Sequence, residues 1–294
     1  MKGRPGHGII SIAALDLRRS PDHRSELCSQ LLLGEVVRVV SGSRDGRWWR
    51  VRSTGDGDHG WVRGWGFQAV GARGTAVWRR RARARVVACC TELRAEPGRG
   101  ALVSPLFLNS RIAAGPRRGR HRRAVLPDGR AGWVEASALS GIGRRGIGLE
   151  ARVASLLGVP YLWGGRTPLG MDCSAFSQIV LAEIGIALPR DAAEQYRLCR
   201  PLPDGEQPRA GDLAFFGPRR GPPAHVGVVL GGGLFAHARG HVRVGSLDGY
   251  NVLYDNALGR QFRGVRRAPG GPVSTPPGGG RSRRIGLTRF LRLT

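Results

Sequence analysis

The strongest constraint on the fold is a pattern that occurs twice in the first half of the chain. The first copy contains LDLRRSP (Leu15–Pro21) and GWV (Gly60–Val62), and the second contains TELRAEP (Thr91–Pro97) and GWV (Gly132–Val134). These markers recur about 70 to 76 residues apart. Short apolar runs broken by Gly, Pro, Asp and Ser lie between them, which is typical of barrels of four to six strands. The sequence therefore predicts a duplicated small β-barrel, over residues 8–70 and 83–140.

The segment that joins the two copies is rich in arginine. We expect residues 69–85 to form a basic linker with a short strand around Ala76–Trp78. A second linker, Ser140–Gly148, leads to a different pattern. Beyond Arg267 the chain becomes so rich in Pro and Gly that we predict a disordered tail over residues 269–294.

Helical spacing returns after the second linker. Leu149–Leu157 has apolar residues at helical intervals and is followed by Gly158, which favours the end of a helix there. A turn-rich loop then precedes Cys173–Ile186, a second predicted helix, and Asp172 stands at its N-cap position. Cys173 therefore falls in the first turn of that helix, where the macrodipole is expected to lower a thiol pKa.

Two histidines lie in a predicted hairpin further along the chain. His225–Leu230 and Leu234–Ala238 are β-type runs on either side of the glycine turn Gly231–Gly233. If the hairpin turns near Gly231, His225 and His237 lie on one face, within about one residue of register. One imidazole would act as general base for a thiol nucleophile, and the other would orient it.

Each of these residues also has a simpler interpretation. A cysteine at a helix start and histidines in strands often only pack, and a Cys/His/His zinc site is a further alternative, although a fourth ligand is missing. The sequence predicts no metal site and no cofactor.

Four ordered blocks nevertheless resemble one family. They are YLWGG from Tyr161, DCSAF from Asp172, AGDLAFF from Ala210 and HVGVVLGGGLFAHA from His225. Together with the late segment Asn251–Ala268 they resemble the NlpC/P60 cysteine peptidases, over residues 148–268. The resemblance implies an α+β, papain-like catalytic domain in which a helix bearing the cysteine packs on an antiparallel sheet.

The resemblance also implies roles for individual residues. Cys173 matches the nucleophile, His225 the general base and His237 the third, orienting member. Tyr161 matches a tyrosine that helps to form the oxyanion site. Asp172 and Ser174 match positions that hold the free α-amine of an N-terminal L-Ala.

The two barrels resemble bacterial SH3-like (SH3b) domains, whose Gly-Trp-Val strand is their most recognisable mark. With these domains in front, the chain resembles the γ-D-glutamyl-L-diamino acid endopeptidases, in which the first SH3b domain covers part of the cleft. Glu26 would then contribute to the amine pocket. The family's Asp-Gly-Tyr before Gly-Trp is replaced here by DGDHGW, with Asp58 at the tyrosine position, and Asp58 or His59 would have to compensate.

The formal net charge of +26 comes almost entirely from arginine, because Lys2 is the only lysine. The arginines are spread over the chain, with local runs at Arg79–Arg85 and Arg117–Arg123. We interpret them chiefly as solvated side chains and expect no specific nucleic-acid partner; a weak contact with an anionic polymer is the alternative.

The cysteines favour a reducing compartment. Five cysteines form no even framework, and the start of the chain has only a short apolar run, Ile9–Leu15. We expect a cytoplasmic protein without a transmembrane segment, with export to the cell envelope as the alternative.

The expected substrates are bacterial cell-wall stem peptides. The resemblance implies hydrolysis of the γ-D-glutamyl–diamino acid bond in peptides with a free N-terminal L-Ala. Two alternatives are another amide hydrolase or acyltransferase on the same fold, and a wall- or polyanion-binding protein without catalysis.

Overall fold

The computed structural model describes residues 6–142 and 146–270, which form an α+β chain with three main sheets. The first sheet contains β1–β7, at His7–Ile10, Ala14–Arg18, Leu27–Leu32, Val36–Gly42, Trp48–Ser53, His59–Arg63 and Phe67–Val70. The second contains β8–β14, at Ala84–Val86, Cys90–Glu96, Arg99–Phe107, Arg111–Arg118, His121–Val125, Ala131–Glu135 and Leu139–Gly141. Each sheet includes a short 3-10 turn before its last strand, at Gly64–Gly66 and Ala136–Ala138.

The two sheets confirm the predicted duplication. The strand order is β3-β2-β6-β5-β4-β1-β7 in the first and β10-β9-β13-β12-β11-β8-β14 in the second, which is the same topology shifted by seven strands. Each sheet surrounds its own apolar core, with Leu17 and Val62 in the first and Leu93 and Val134 in the second. These residues come from the repeated L-R-x-x-P and G-W-V markers, so the markers recur because they supply the same core positions twice.

The expected linker between the barrels is instead a helix, and the prediction of a strand there is wrong. Helix α1 spans Ala72–Arg81. Its buried residues, Thr75 and Trp78, together with Ala82, are spaced at helical intervals. The Trp78 indole Nε1–H donates to the carbonyl of Gly34 at 2.9 Å, so the helix is anchored to the first barrel while its arginines remain in solvent.

The third domain contains α2–α5 and β15–β22. The helices α2, α3, α4 and α5 span Leu149–Leu156, Cys173–Ala182, Ala192–Leu198 and Asn256–Gly259. The strands β15–β22 are at Arg166–Thr167, Gly170–Met171, Arg200–Pro201, Leu213–Phe216, His225–Gly231, Leu234–Arg239, His241–Ser246 and Phe262–Arg267. Six of these strands form an antiparallel sheet in the order β17-β22-β18-β19-β20-β21.

Helix α3 packs on β19 and β20 of this sheet. Phe176 and Val180 are fully buried with Val226, Val228 and Ala236 in one apolar cluster. The helix ends at Ala182, four residues earlier than predicted, and Gly185 (φ +83°) forms the turn that follows it. This turn returns Ile186 to the core although the residue no longer belongs to the helix.

The predicted disordered tail lies almost entirely beyond the described residues, which end at Gly270. Among residues 6–142 and 146–270, no helix has the length and apolarity needed to cross a bilayer.

We predict that the buried ion pair behind α3 is needed for stability. Arg152 Nε donates to Glu183 Oε1 at 2.9 Å, and both side chains are 1% exposed. Glu183→Ala would leave the guanidinium buried without its carboxylate and should cost about 3–5 kcal/mol in the free energy of unfolding. Urea unfolding measures the loss. Glu194→Ala, in an exposed pair, is the control and should change it by less than about 0.5 kcal/mol. Equal losses in both variants would contradict the prediction.

Candidate active site

The site is built on the N-terminus of α3. As predicted, Asp172 caps the helix, because its Oδ1 accepts from the backbone N–H of Ala175 at 2.8 Å. Cys173 is the first helical residue and is 5% exposed. The cap fixes the backbone conformation immediately before Cys173 and therefore the direction in which its side chain leaves the helix.

The start of β19 lies against the sulfur of Cys173. The backbone N–H groups of Val226 and Ser174 both donate to this sulfur. His225 directly precedes Val226, so the backbone of its strand adjoins the sulfur. A direct contact between the His225 imidazole and the thiol stays a prediction.

The two histidines form a direct hydrogen bond. The distance from His225 Nε2 to His237 Nδ1 is 2.7 Å. The strand register places His237 opposite Gly227, so the histidines are two positions apart, and the expected offset of about one residue is wrong. The hairpin is centred at Gly232 and not at Gly231, as the pairing of Val228 with Ala236 shows, and this causes the difference. Diagonal neighbours on one face are still within reach of ring side chains.

This hydrogen bond restricts the tautomers of the pair. When both imidazoles are neutral, one nitrogen donates and the other accepts. If His225 Nε2–H donates to His237 Nδ1, the Nδ1 atom of His225 carries a free lone pair. His225 can then accept a proton from the thiol through Nδ1 while His237 keeps the ring oriented.

The protonation states at rest differ from the sequence expectation. Burial, together with the nearby Asp172 carboxylate, raises the pKa of Cys173 to about 12. The expected lowering by the helix N-terminus is therefore wrong, because desolvation of the thiolate outweighs the two backbone donors. Burial lowers the pKa of His225 to about 4 and that of His237 to about 2, with Arg239 and Arg243 adding to both effects. The resting pair is thus a neutral thiol beside a neutral imidazole.

Tyr161 lies near the sulfur, since the charge of a Cys173 thiolate acts on its hydroxyl. Its backbone N–H donates to Gly240 O at 2.8 Å, and it forms an isolated bridge with Met171 just before the helix. Burial, and next the charge of a Cys173 thiolate, raise the pKa of Tyr161 to about 12. Its hydroxyl therefore stays protonated at neutral pH and can donate a hydrogen bond to an oxyanion that forms near the sulfur.

Asp172 and Ser174 are already fully occupied by protein contacts. Asp172 Oδ1 accepts from Ser174 Oγ, Ala175 N and Arg190 Nη1, and Oδ2 accepts from Gly164 N and Arg190 Nη2. Arg190 Nη1 also donates to Ser174 Oγ at 2.8 Å. Five donors saturate the carboxylate, so these two residues shape the site, and an α-amine would need other carboxylates.

The first barrel forms a wall of the same cleft. Trp163 Nε1–H donates to Glu26 Oε1 at 2.9 Å, which places Glu26 beside the loop before the cysteine, while its role in an amine pocket stays a prediction. Arg19 on the barrel holds the other oxygen of Glu26 and, as the main cause, lowers its pKa. Gly164 (φ +73°) packs so closely on Leu27 O that an added Cβ would lie 2.2 Å from it, so only glycine allows this approach.

Sequence reasoning missed two further residues of the cleft, Arg190 and Asp191. Arg190 joins the domains, since its Nε donates to Ser29 Oγ of the first barrel at 2.9 Å. Asp191 is exposed at the N-cap of α4, yet its side chain makes no capping bond. The sequence signal was an Arg-Asp pair before a helix. The contact of Arg190 with Ser29, far away in the sequence, could not be predicted from it.

Asp58 lies close to Asp191 in this cleft. Burial is the main cause that raises the pKa of Asp58, and the charges of Asp56 and Asp191 add to it. Among the described residues, Asp58 Oδ2 is buried without a hydrogen-bond partner. Burial and the charges of Glu26, Asp58 and Asp191 all raise the pKa of Cys28, so the three acids lie in the same region of the cleft, with Arg19 paired to Glu26. We call them the acidic edge.

Cysteine, histidine and carboxylate side chains can also act as metal ligands. All five cysteines lie within residues 6–142 and 146–270 and are free thiols. In the same ranges, no three His, Cys, Asp or Glu side chains are grouped to hold a metal ion.

Comparison with known proteins identifies the domains. The NlpC/P60 family matches residues 158–266, and the bacterial dipeptidyl-peptidase SH3 domain matches residues 17–64. The third domain belongs to the NlpC/P60 family. This family assignment makes it a cysteine-type peptidase domain, in agreement with the motifs around Cys173 and His225.

Curated relatives share this domain. The γ-D-glutamyl-L-lysine dipeptidyl-peptidase of Bacillus subtilis is 41% identical over 87 residues, 29% of this chain and 29% of the relative. The peptidoglycan endopeptidase RipB of Mycobacterium tuberculosis is 36% identical over 102 residues, 30% of this chain and 41% of the relative. The matched region thus covers well under half of either relative.

A solved structure supports the arrangement of all three domains. A crystal structure of an NlpC/P60 family protein from Bacillus cereus superposes with a TM-score of 0.75, covering 89% of this chain and 99% of the other, at 21% identity. At this identity the similarity concerns the fold.

We predict that Cys173 carries no preformed thiolate at neutral pH. A thiol whose pKa is raised stays protonated below that pKa, so its alkylation rate by iodoacetamide should rise about tenfold per pH unit from pH 6 to 9. Peptide mass spectrometry resolves Cys173 from the other cysteines, and exposed Cys90 is the internal control. A fast rate at Cys173 that does not change between pH 5 and 8 would contradict the neutral pair.

Proposed function

We propose that the protein is a cysteine endopeptidase that hydrolyses the γ-D-glutamyl–diamino acid bond of cell-wall peptides with a free N-terminal L-Ala. The observation that carries the proposal is the hydrogen-bonded pair of His225 and His237, on a strand whose start contacts the sulfur of Cys173 at a helix N-terminus. The relatives named as peptidoglycan endopeptidase and γ-D-glutamyl-L-lysine dipeptidyl-peptidase support this substrate class.

The first half of the reaction forms an acyl-enzyme. His225 Nδ1 takes the thiol proton while the sulfur attacks the γ-carbonyl carbon, and the carbonyl π electrons move to oxygen. Proton transfer accompanies attack, because the separated thiolate–imidazolium pair is disfavoured in the buried site. The Tyr161 hydroxyl and the backbone N–H of Cys173, which as the first residue of α3 has no acceptor within the helix, stabilise the oxyanion. The C–N bond then breaks, and the imidazolium gives its proton to the leaving amine.

The second half releases the dipeptide. Water attacks the thioester carbon while His225 takes one of its protons, and the C–S bond breaks. The proton returns to the sulfur and L-Ala-D-Glu leaves. His237 accepts a hydrogen bond from the Nε2–H of His225 through both steps. The His225 ring therefore keeps its orientation and its proton on Nε2, and only Nδ1 gains and loses a proton.

The acidic edge explains the requirement for a free amine. An ammonium group matches carboxylates that the protein has not neutralised completely. Asp58 has an oxygen without a hydrogen-bond partner, and the side chain of Asp191 makes no capping bond. In contrast, both oxygens of Asp172 accept hydrogen bonds from Arg190. The acidic edge therefore binds the α-amine, a role that sequence similarity implied for Asp172 and Ser174. Asp58 then provides a carboxylate at the position where the family has a tyrosine.

A different amide bond is the second candidate, because the catalytic chain itself does not select the substrate. A non-catalytic wall-binding protein is the third. A hydrolase of a different amide bond would release other products through Cys173. A wall-binding protein would release none.

We predict release of L-Ala-D-Glu from L-Ala-γ-D-Glu-meso-diaminopimelate by the purified protein. Product analysis by liquid chromatography and mass spectrometry measures it. Cys173→Ala should abolish release because it removes the nucleophile, whereas Cys90→Ala, at an exposed thiol, should retain it. Release by Cys173→Ala, or an absence of cleavage by the native chain, would contradict the proposal.

We further predict that the acidic edge selects the free amine. N-acetylation of the tripeptide removes the ammonium and should lower kcat/KM about tenfold to a hundredfold, the worth of one or two charge-assisted hydrogen bonds. Asp58→Asn should reduce this preference mainly through KM. Asp128→Asn, on the second barrel, is the control and should leave the preference unchanged. Equal rates on the free and acetylated peptides would refute amine selection.

A further inference from the structure

The repeated markers of the two barrels contain residues that the apolar cores do not use. Side chains alternate between the two faces of a strand. The leucine and the valine of each marker point into the core, so the arginine after the leucine and the tryptophan before the valine point outwards. These outward residues are Arg18 and Trp61 in the first barrel and Arg94 and Trp133 in the second, and all four are half-buried. The proposed reaction does not involve them.

Strand pairing adds a second arginine to each tryptophan. In both barrels the tryptophan is the cross-strand partner of one arginine on each side. The first row consists of Arg18, Trp61 and Arg50 on β2, β6 and β5, and the second of Arg94, Trp133 and Arg123 on β9, β13 and β12. Neighbouring strands are about 4.8 Å apart, so each row is about 10 Å long. We call these two sets the Arg–Trp–Arg rows.

The barrels agree at these rows but differ directly beside them. Two positions away on the same strands, the first barrel pairs Trp48 with Arg63, and the second pairs His121 with Glu135. The charge at one of these positions is thus reversed between the barrels. The shared fold alone therefore does not require the same outward residues twice, which indicates that the rows have a function of their own.

One arginine of each row is held in place by an acid. Arg18 Nη2 donates to Asp16 Oδ2 at 2.5 Å, and Arg94 Nε donates to Glu92 Oε2 at 2.6 Å. Each of these arginines also donates through Nη1 to a backbone carbonyl further along the chain, at 2.8 Å and 2.9 Å. The two carboxylates remain about half exposed, at 42% and 50% of their side-chain surface. Each row therefore begins with a fixed acid–arginine pair that solvent can reach.

The tryptophan and the other arginine of each row remain open. Among residues 6–142 and 146–270, neither Trp61 nor Trp133 has a ring contact, and neither indole N–H donates to a protein group. In the same ranges, the exposed side chains of Arg50 and Arg123 make no hydrogen bond or ion pair. A row that only stabilised the barrel would place a guanidinium over the indole, as occurs at another tryptophan of the first barrel at 5.2 Å.

The groups of each row match a sugar that carries a carboxylate. The indole offers a flat apolar surface for the apolar face of a sugar ring. Sugar hydroxyl groups can donate to the carboxylate of Asp16 or Glu92 and accept from the arginine that it holds. The free arginine can bind the carboxylate of the sugar. A nucleic acid fits less well, because its phosphates would be repelled by the acid in each row.

The proposed reaction indicates which sugars of this kind accompany the substrate. A stem peptide with a free N-terminal L-Ala is produced when the amide between its L-Ala nitrogen and a carboxyl group of the wall glycan is hydrolysed. Water cleaves this C–N bond, which leaves an ammonium group on the peptide and a carboxylate on the sugar. The acidic edge matches the first product of this hydrolysis, and the Arg–Trp–Arg rows match the second.

We propose that the two Arg–Trp–Arg rows bind peptide-free wall glycan through the carboxylates on its sugars. The choice of this glycan rests on the proposed function, whereas the rows themselves do not. Binding keeps the protein at glycan from which stem peptides have been released. Because the chain carries two rows, a strand that reaches both binds more tightly than it would bind to one.

The decisive measurement compares two glycans that share one backbone. Fluorescence anisotropy measures the binding of end-labelled, peptide-free strands of alternating N-acetylglucosamine and N-acetylmuramic acid, and of chitin oligosaccharides of the same length, which lack the carboxylate. Cys173→Ala protein is used, so that binding is measured without turnover. The carboxylated strand should bind about tenfold tighter or more, the worth of one charge-assisted hydrogen bond.

Variants assign this advantage to the rows. Arg50→Gln combined with Arg123→Gln should remove most of the advantage, because the free guanidinium groups are lost. Arg117→Gln combined with Arg120→Gln removes the same charge from exposed arginines outside the rows and should leave the advantage unchanged.

A spectroscopic measurement on the chain with both rows intact does not depend on variants that fold. The protein has seven tryptophans, each with one indole N–H signal in a nitrogen–proton correlation spectrum. The carboxylated strand should shift the signals of Trp61 and Trp133. The signal of Trp65, which is 62% exposed but outside the rows, should not move. Single Trp→Phe variants assign the signals.

Several results would overturn the inference. Equal affinity for the two glycans would show that the carboxylates are not recognised. Equal losses in the row and control variants would assign binding to the general positive charge. An oligothymidylate that binds as tightly as the carboxylated strand at the same ionic strength would assign the rows to nucleic acid or to any polyanion.

Failure of this inference and failure of the proposed reaction give different results. Glycan binding that depends on the rows, in a protein whose native chain releases no L-Ala-D-Glu, would sink the proposed reaction and leave the rows as a glycan site. Release of L-Ala-D-Glu by a protein that binds neither glycan would do the opposite.

Discussion

The buried pair of Arg190 and Asp172 is the interaction on which the rest of the site depends. Asp172 caps the helix that carries Cys173 and receives the N–H of Gly164 in the preceding loop, while Arg190 neutralises its charge and reaches Ser29 of the first barrel. A carboxylate in this position would otherwise be costly to bury. One ion pair therefore fixes the position of Cys173, of the loop that precedes it and of the first barrel, which closes the cleft.

The same burial determines how the nucleophile works. The enclosed site opposes charge on Cys173 and on both histidines, so the free protein holds a neutral chain of donors and acceptors. Charge develops only when a substrate carbonyl can receive electron density beside Tyr161. Such a thiol is protected from solvent reagents at rest, and its reactivity is coupled to occupation of the site.

Local patterns made the fold predictable, and contacts between distant segments did not follow from them. The repeated Leu17 and Leu93 positions, the cap at Asp172 and the two histidine strands each have a signal within a few residues. The burial of Trp78, which makes α1 a packed helix, depends on Gly34 more than 40 residues earlier. The pKa of Cys173 likewise depends on burial by the whole domain, which outweighs the helix terminus that the sequence reveals.

The charges around the site are separated in space. Acids concentrate where the first barrel meets the third domain, at Glu26, Asp58 and Asp191, whereas Arg239 and Arg243 lie behind the histidines, where they share Asp255. The arginines oppose protonation of the histidines, and the acids offer partners for an ammonium group. In the proposed reaction, the acids would orient the amine end of a stem peptide, while Cys173 and the histidines stay uncharged until they react.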